Sequence, residues 1–454
     1  MTIQTLNPAT GKSVKSFAPH TDAQIELAIE KSVIAYQALR LMSFAERSTC
    51  MTAAAVILEA QAEDFAAMIT LEMGKPLKAA KAEVEKCVSV CRYYAKYAQA
   101  LLRDEIVKTD ASKAFRAYLP LGPVLAVMPW NFPFWQVIRF AAPALMAGNT
   151  GLLKHASNVP QCALALQDVF ARAGFPDGSF QTLLIGSDKV EQILRDQRIV
   201  AATLTGSEPA GSAVAKVCGE LIKPVVLELG GSDAFIVMPS ADIDKAVEVG
   251  AYARTANNGQ SCIAAKRFII HADIYDVFKE KLVAAFTNLK VGDPTKADTD
   301  IGPLVSKSAL EEITGQVDAA VNAGAVRVYG AKAVRGEGYF FTPGILENIP
   351  KDAAVYREEI FGPVALLFKA DSLKDAIILA NDSPFGLSGS VFTNDKAEQE
   401  TAIRELQAGA TFINSATASD PRLPFGGIKR SGLGRELSRE GIQAFCNIKT
   451  VSIA

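Results

Sequence analysis

Long hydrophobic runs are missing from this 454-residue sequence. Every apolar stretch is broken by Gly, Pro or a charge well short of the about 20 residues that a membrane-spanning helix needs. The opening residues, MTIQTLNPATGK, lack the apolar core of a secretion signal, so a cytoplasmic protein is expected. Charge of one sign is not concentrated either: 47 Lys+Arg stand against 49 Asp+Glu, a net of -2, with no long block of like charge. That leaves no electrostatic footprint for nucleic acid or an anionic membrane, and a small molecule is the expected partner. Histidine is scarce, with three residues. His20 lies near the terminus, His271 ends a strand and His155 follows Lys154 in a strand-loop segment, so none suits a nucleophilic thiol and a Cys/His hydrolase is disfavoured. The seven cysteines are odd in number and scattered, with no Cys/His cluster at zinc-ligand spacing. They read as reduced thiols, and no metal is expected.

What is present is a text that switches period repeatedly, on a chain long enough for two or three domains. From about Thr21 to Leu102 it is Ala-rich and helical, with Thr21 or Asp22 able to cap the first helix. After Pro123 come short β-rich runs bounded by Gly or Pro, each followed by a helical stretch: VLAVMPW, TGLLKH, FQTLLIG, IVAATLTG, PVVLELGG and AFIVM. Such runs alternating with helices predict a parallel, doubly wound α/β sheet. A second set, RFIIH, AVRVYG, VALLFKA and SGSVFT, predicts a second α/β domain. KAFRAYLPLGP and CNIKTVSIA read as strands belonging to neither sheet, of a kind that often pairs across a subunit interface.

Few residues stand out for chemistry. NNGQSCIAAKR places Cys262 behind Gly259 and two small polar residues, where a substrate can approach a thiol closely. A single Cys is more often a small buried hydrophobe, the reading given to Cys50, Cys87, Cys91, Cys162, Cys218 and Cys446. With no suitable histidine, a carboxylate has to serve as base, and LELGG supplies Glu228 at the end of an apolar strand. In TLTGSEPAG, Gly206 and Gly211 permit close backbone approach, and a helix starting near Pro209 favours phosphate.

Taken together, the chain resembles the aldehyde dehydrogenase superfamily. The resemblance runs from NPATGK almost to the C-terminus through PWNFP (129–133), LTGS (204–207), LELGG (227–231), GQSC (259–262), EEIFGPV (358–364), NDSPFGLSGSVFT (381–393) and PFGGIKRSGLGRE (424–436). It implies a Rossmann-like cofactor domain (1–107 and 125–230), a catalytic domain (231–430) and a small β extension for oligomerisation (108–124 and 431–454), in a homodimer or tetramer. It also implies Cys262 as nucleophile, Glu228 as general base and Asn131 as side-chain donor of the oxyanion hole. Lys154 resembles the adenosine-ribose ligand, Gly206 and Ser207 the pyrophosphate turn, Glu359 the nicotinamide-ribose carboxylate, and Trp130 and Phe361 residues beside the cofactor.

Two finer expectations follow. NAD-preferring relatives carry an acid three places after the Lys154 equivalent, which would repel a 2′-phosphate; here Ser157 stands there, so NADP is expected over NAD. PWNFPFWQVIRF resembles the same string in members that oxidise succinic semialdehyde, and implies that Arg139 binds the substrate's far carboxylate. Ser419 would add a hydroxyl to that group, with Trp135 and Phe425 lining the tunnel. Rival readings are another semialdehyde such as glutarate semialdehyde, a plain aliphatic aldehyde, a non-catalytic relative, and an acylating enzyme passing its thioester to coenzyme A. The last usually lacks the Glu228 base. A second Cys two places after the nucleophile, present in some relatives, is replaced here by Ala264.

Overall fold

The computed structural model describes residues 3–454. It opens with a hairpin that period reading passes over: Ile3–Asn7 pairs antiparallel with Lys12–Phe17. The second of these strands buries nothing, so it carries no alternation to detect. Four helices follow, α1 (Asp22–Leu39), α2 (Phe44–Ala60), α3 (Ala62–Met73) and α4 (Leu77–Leu101). Thr21 and Ser43 close capping boxes with Gln24 and Glu46, which satisfies the free N–H groups at the starts of α1 and α2. Helix α4 buries Ala80, Glu83, Val84, Cys87, Cys91, Tyr94 and Ala98, spaced three or four apart, and so packs one face inward.

The first sheet orders its strands Gly432–Leu433, Val225–Glu228, Ala201–Thr205, Pro123–Met128, Thr150–His155, Phe180–Thr182, all parallel except the first pair. One face packs on a core that includes α2, α3, α4 and the wholly buried helix α5 (Trp135–Ala147). The other face packs on α1 and on residues of helix Glu208–Glu220. Helices on both faces make this the expected doubly wound, Rossmann-like domain. The second sheet has seven strands in the order Val326–Gly330, Gly344–Glu347, Val364–Ala370, Ala265–His271, Asp233–Val237, Ser388–Phe392, Ala410–Ile413. Only its Val326–Gly330 edge is antiparallel. A third, small sheet joins Cys446–Ile453 to Lys113–Pro120 along their full length and adds Glu105–Ile106. The two strands outside the large sheets therefore pair with each other within the chain, and Cys446–Ile453 is left as an edge. Among the described residues no helix is long and apolar enough to cross a membrane.

In an open parallel sheet ligands gather beyond the carboxyl ends of the strands. Here those ends deliver Pro129–Asn131, Lys154–Ser157, Gly206–Ser207 and Glu228 to one edge. Facing it is the opposite end of the second sheet, where the segments entering Ala265–His271 and Val364–Ala370 carry Cys262, Glu359 and Phe361.

Candidate active site

The Cys262 loop is held from many directions. Helix Ile243–Thr255 ends in three consecutive residues of positive φ, Asn257 (57°), Asn258 (59°) and Gly259 (73°). Asn tolerates this left-handed region because its short polar side chain bonds locally. Asn257 Nδ2 donates to the carbonyls of Asn131 (2.9 Å) and Gln260 (2.8 Å), and Asn258 Nδ2 to those of Gly74 (3.0 Å) and Pro303 (2.8 Å). The fully buried Lys266 ammonium donates to the carbonyls of Ser261 (2.9 Å) and Cys262 (2.7 Å) and pairs with Glu359 at 2.9 Å. Cys262 is half-buried, and burial pushes its thiol up to about 12 against the pull of Lys266 and Arg139. The resting group is a neutral thiol. Asn131 is 4% exposed; its Nδ2 donates to Gln260 O at 3.2 Å, next to the Cys262 loop. Its loop is fixed from behind, because Glu83 of α4 accepts the N–H groups of Phe134 and Trp135 (2.8 and 3.0 Å) and pairs with the buried Lys75.

Glu228 is built in the opposite manner. It is 2% exposed, and among the described residues neither carboxylate oxygen has a hydrogen-bond partner. Burial drives its pKa well above the usual carboxylate range; Arg139 opposes the rise and Glu436 adds to it. Glu436, also buried and raised, is ion-paired with Arg139. A buried carboxyl of this kind rests protonated and can become a base once water or substrate reaches it. Gly426 leaves the room: a Cβ there would meet Glu228 Oε1 at 2.6 Å.

At the cofactor end, Lys154 is 9% exposed, its pKa lowered by burial despite Asp188. Ser157 borders a small cleft with His155, Pro160 and Leu184. Ser207 is the exposed N-cap of helix Glu208–Glu220 and makes no side-chain cap bond, so that helix start remains open to an anion. A Cβ at Gly206 would meet Leu204 at an ordinary 3.6 Å, whereas at Gly211 it would meet Leu229 at 2.6 Å, the close helix-to-strand packing of a dinucleotide fold. Glu359 accepts from Gly231 N–H at 3.2 Å, and Trp130 stands edge-on to Phe361 with ring centroids 5.7 Å apart. The donor set fits a dinucleotide carrying an extra phosphate: a cation and a hydroxyl at one end, an open helix start in the middle and a carboxylate at the other.

Arg139 is 2% exposed, ion-paired with Glu436, donating to Thr205 Oγ1 at 3.2 Å and lying 4.8 Å over the Phe425 ring. Glu436 meets the guanidinium at Nε and Thr205 at Nη2. Eight residues beyond Asn131 do bring it to the cleft side, but the neighbour that meets it there is an acid 297 positions further on. Phe425 lies against Arg139, while Trp135 and Ser419 meet at a residue that sequence reading missed. Lys86 of α4 donates to Ser419 Oγ at 2.6 Å and lies 4.3 Å over the Trp135 ring. Nothing in its local text, EVEKCV, separates Lys86 from a solvated helix lysine. Lys266 and Glu436 were likewise without a role, although Glu436 closes the last of the quoted motifs.

With this geometry in place, comparison with known proteins is decisive. A profile of the aldehyde dehydrogenase family matches residues 1–451. A protein of Mycobacterium tuberculosis named succinate-semialdehyde dehydrogenase 1, NADP(+)-dependent, is 57% identical over 457 residues and covers 100% of both chains. A Mycobacterium leprae protein of the same name, without the numeral, is also 57% identical with 100% coverage of both. Among solved structures, succinic semialdehyde dehydrogenase from Streptococcus pyogenes, in complex with NADP+ as the cofactor, superposes with a TM-score of 0.97 at 38% identity, covering 99% of each chain.

Proposed function

The chain belongs to the aldehyde dehydrogenase family, and on that premise we propose that it oxidises succinic semialdehyde to succinate with NADP as acceptor, through a thiohemiacetal and a thioester on Cys262. The observation that carries the chemistry is the meeting of a pinned thiol, an amide donor and an unpartnered buried carboxyl in one cleft between two sheets. The Cys262 thiol gives up its proton to solvent, and the thiolate adds to the aldehyde carbon, forming a C–S bond and an oxyanion. Asn131 Nδ2 and the Cys262 N–H stabilise that oxyanion once Nδ2 turns from Gln260 O. When bound, the nicotinamide ring supplies the hydride acceptor. Loss of hydride from the former aldehyde carbon leaves a thioester on Cys262. Glu228, once it has lost its own proton to entering solvent, takes a proton from water, the hydroxide adds to the thioester carbon, and collapse releases the carboxylate and the thiolate.

Lys154, Ser157, Gly206, Ser207, Glu359, Trp130 and Phe361 are the residues we assign to holding NADP. No acid at position 157 opposes the 2′-phosphate, and Lys154 brings a buried positive charge to the same pocket. The edge strand Cys446–Ile453, with Ile448 and Ile453 exposed, is the surface we assign to a homodimer. Seven free thiols suit the reducing cytoplasm as its location.

The test follows reduced-nicotinamide absorbance with succinic semialdehyde or butanal, each with NADP or NAD. Higher kcat/KM for succinic semialdehyde with NADP is expected. Equal rates on butanal would leave the family standing and remove the substrate.

A further inference from the structure

We propose that His155 is a positioning residue with two duties: one ring nitrogen holds the turn that carries Asn131, and the other holds the loop that carries Ser157, so that a single side chain sets the oxyanion hole and the 2′-phosphate pocket relative to each other. The inference rests on the cofactor reading above and adds to it a residue with no assigned role.

The two segments leave adjacent parallel strands. Pro123–Met128 runs out into the turn of Asn131, and Thr150–His155 into Ala156 and Ser157, with Met128 and His155 paired in register at the carboxyl end of the sheet. The ladder between the strands ends at that pair, so beyond it the backbone groups of both loops have to find other partners. His155 is 5% exposed and supplies one to each loop. Its Nδ1 accepts the N–H of Ala156 at 2.9 Å, and its Nε2 lies 2.9 Å from the carbonyl of Pro133. An amide N–H can only donate, so Nδ1 carries the lone pair, and the proton sits on Nε2 and is donated to Pro133 O. The Met128 carbonyl, 3.2 Å from Nδ1, is then a close neighbour rather than a partner. Burial lowers the pKa of the ring to about 4, so it stays neutral near pH 7 and keeps this tautomer.

Asn257, Glu83 and His155 together grip the turn from Asn131 to Trp135. Asn257 donates to Asn131 O, Glu83 accepts from the N–H groups of Phe134 and Trp135, and His155 donates to Pro133 O between them. Of the three, His155 alone is flanked by cofactor residues: Lys154 precedes it, and Ser157 borders the same small cleft as the ring. The far side of that loop is anchored independently. Gln4 N–H donates to Ser157 O at 3.2 Å, and the buried Glu72 accepts the N–H groups of Gln161 (3.0 Å) and Cys162 (2.9 Å) at the start of helix Pro160–Arg172. The imidazole is thus the link between two loops that are each held elsewhere. Without it the Pro133 carbonyl and the Ala156 N–H lose these partners, and the spacing of the loops is free to drift.

The experiment compares His155→Asn, His155→Gln and His155→Leu with wild type. Asn places a polar atom where Nδ1 stands and Gln places one where Nε2 stands, so each keeps one of the two bonds. Dissociation constants for NADP and NAD are read from quenching of tryptophan fluorescence without aldehyde, and kcat with succinic semialdehyde at saturating cofactor. His155→Asn should hold Kd for NADP within about twofold while kcat falls about tenfold, as the Asn131 turn loosens. His155→Gln should show the reverse: kcat within about twofold, and Kd for NADP raised about tenfold more than Kd for NAD. His155→Leu should show both losses. The same pattern in the two amide variants, or wild-type values of both quantities in His155→Leu, would overturn the proposal. A wild-type enzyme that binds NAD as tightly as NADP would instead defeat the cofactor reading, and the kcat contrast between Asn and Gln would still test the grip on Asn131.

Discussion

The two sides of the cleft differ in how their reacting groups are held. On the Cys262 side Asn257, Asn258, Gln260, Arg254 and Lys266 each make at least one bond to a backbone carbonyl or N–H of the loop and its neighbours, although Arg254 Nε and Nη1, Asn257 Oδ1 and Gln260 Nε2 have no partner among the described residues. On the Glu228 side the carboxylate has no hydrogen bond among the described residues, and its neighbours are a second raised carboxyl, Glu436, and the arginine that pairs with it. The difference follows from what each group must do. A nucleophile and an oxyanion donor act by position, and hydrogen bonds preserve position. A general base must change protonation state and reach a water that arrives only after the thioester has formed. A full set of hydrogen bonds would lower its pKa and hold it in place.

Four measurements can break or sharpen this contrast. The largest effect is expected on the base side: Glu228→Gln should lower steady-state turnover about a thousandfold, yet stopped-flow absorbance should still show a burst of about one NADPH per active site, since the base acts after hydride departure. Loss of the burst would mean that Glu228 serves an earlier step. On the nucleophile side, Asn257→Ala removes two hydrogen bonds and places Ala at φ 57°, so kcat/KM should fall about a hundredfold through misplacement of Cys262 and Asn131. A variant as active as wild type would show that the loop needs no such bracing.

Third, a thiol raised to about 12 should be alkylated by iodoacetamide in the cofactor-free enzyme at a rate that keeps rising about tenfold per pH unit between pH 7 and 9. The sign is that of a thiolate fraction still far from saturation. A plateau below pH 9 would show that the positive field of Lys266 and Arg139 outweighs burial. The smallest effect lies at the cofactor end, outside both sides of the contrast. Ser157→Glu should shift the NADP-to-NAD ratio of kcat/KM about tenfold toward NAD through repulsion of the 2′-phosphate. No change would remove Ser157 from the phosphate pocket.

Much of this was legible in advance. Parallel strands with Gly at their carboxyl ends announce the first sheet, and LELGG and GQSC mark Glu228 and Cys262 because an acid and a thiol in small, apolar text are chemically conspicuous. The missed strands, Gly344–Glu347 and Ala410–Ile413, are four residues each, too short for a period to register. Lys86 was invisible for a different reason: a helix lysine is ordinary, and only the arrival of Trp135 and Ser419, 49 and 333 positions away, makes it unusual. Arg139 shows the converse. Its helical offset from Asn131 places it toward the cleft, and there it also meets Glu436, a neighbour its local text does not announce.

Local chemistry along the chain determined the fold class, the candidate nucleophile and base and the absence of an acid at position 157, since these depend on residue type, spacing and the strand or turn that carries them. Which charges are free and which are answered was decided only by the tertiary structure. Ion pairing and desolvation depend on distance in space, and α4, α5 and the C-terminal loop meet in a way that no local spacing encodes.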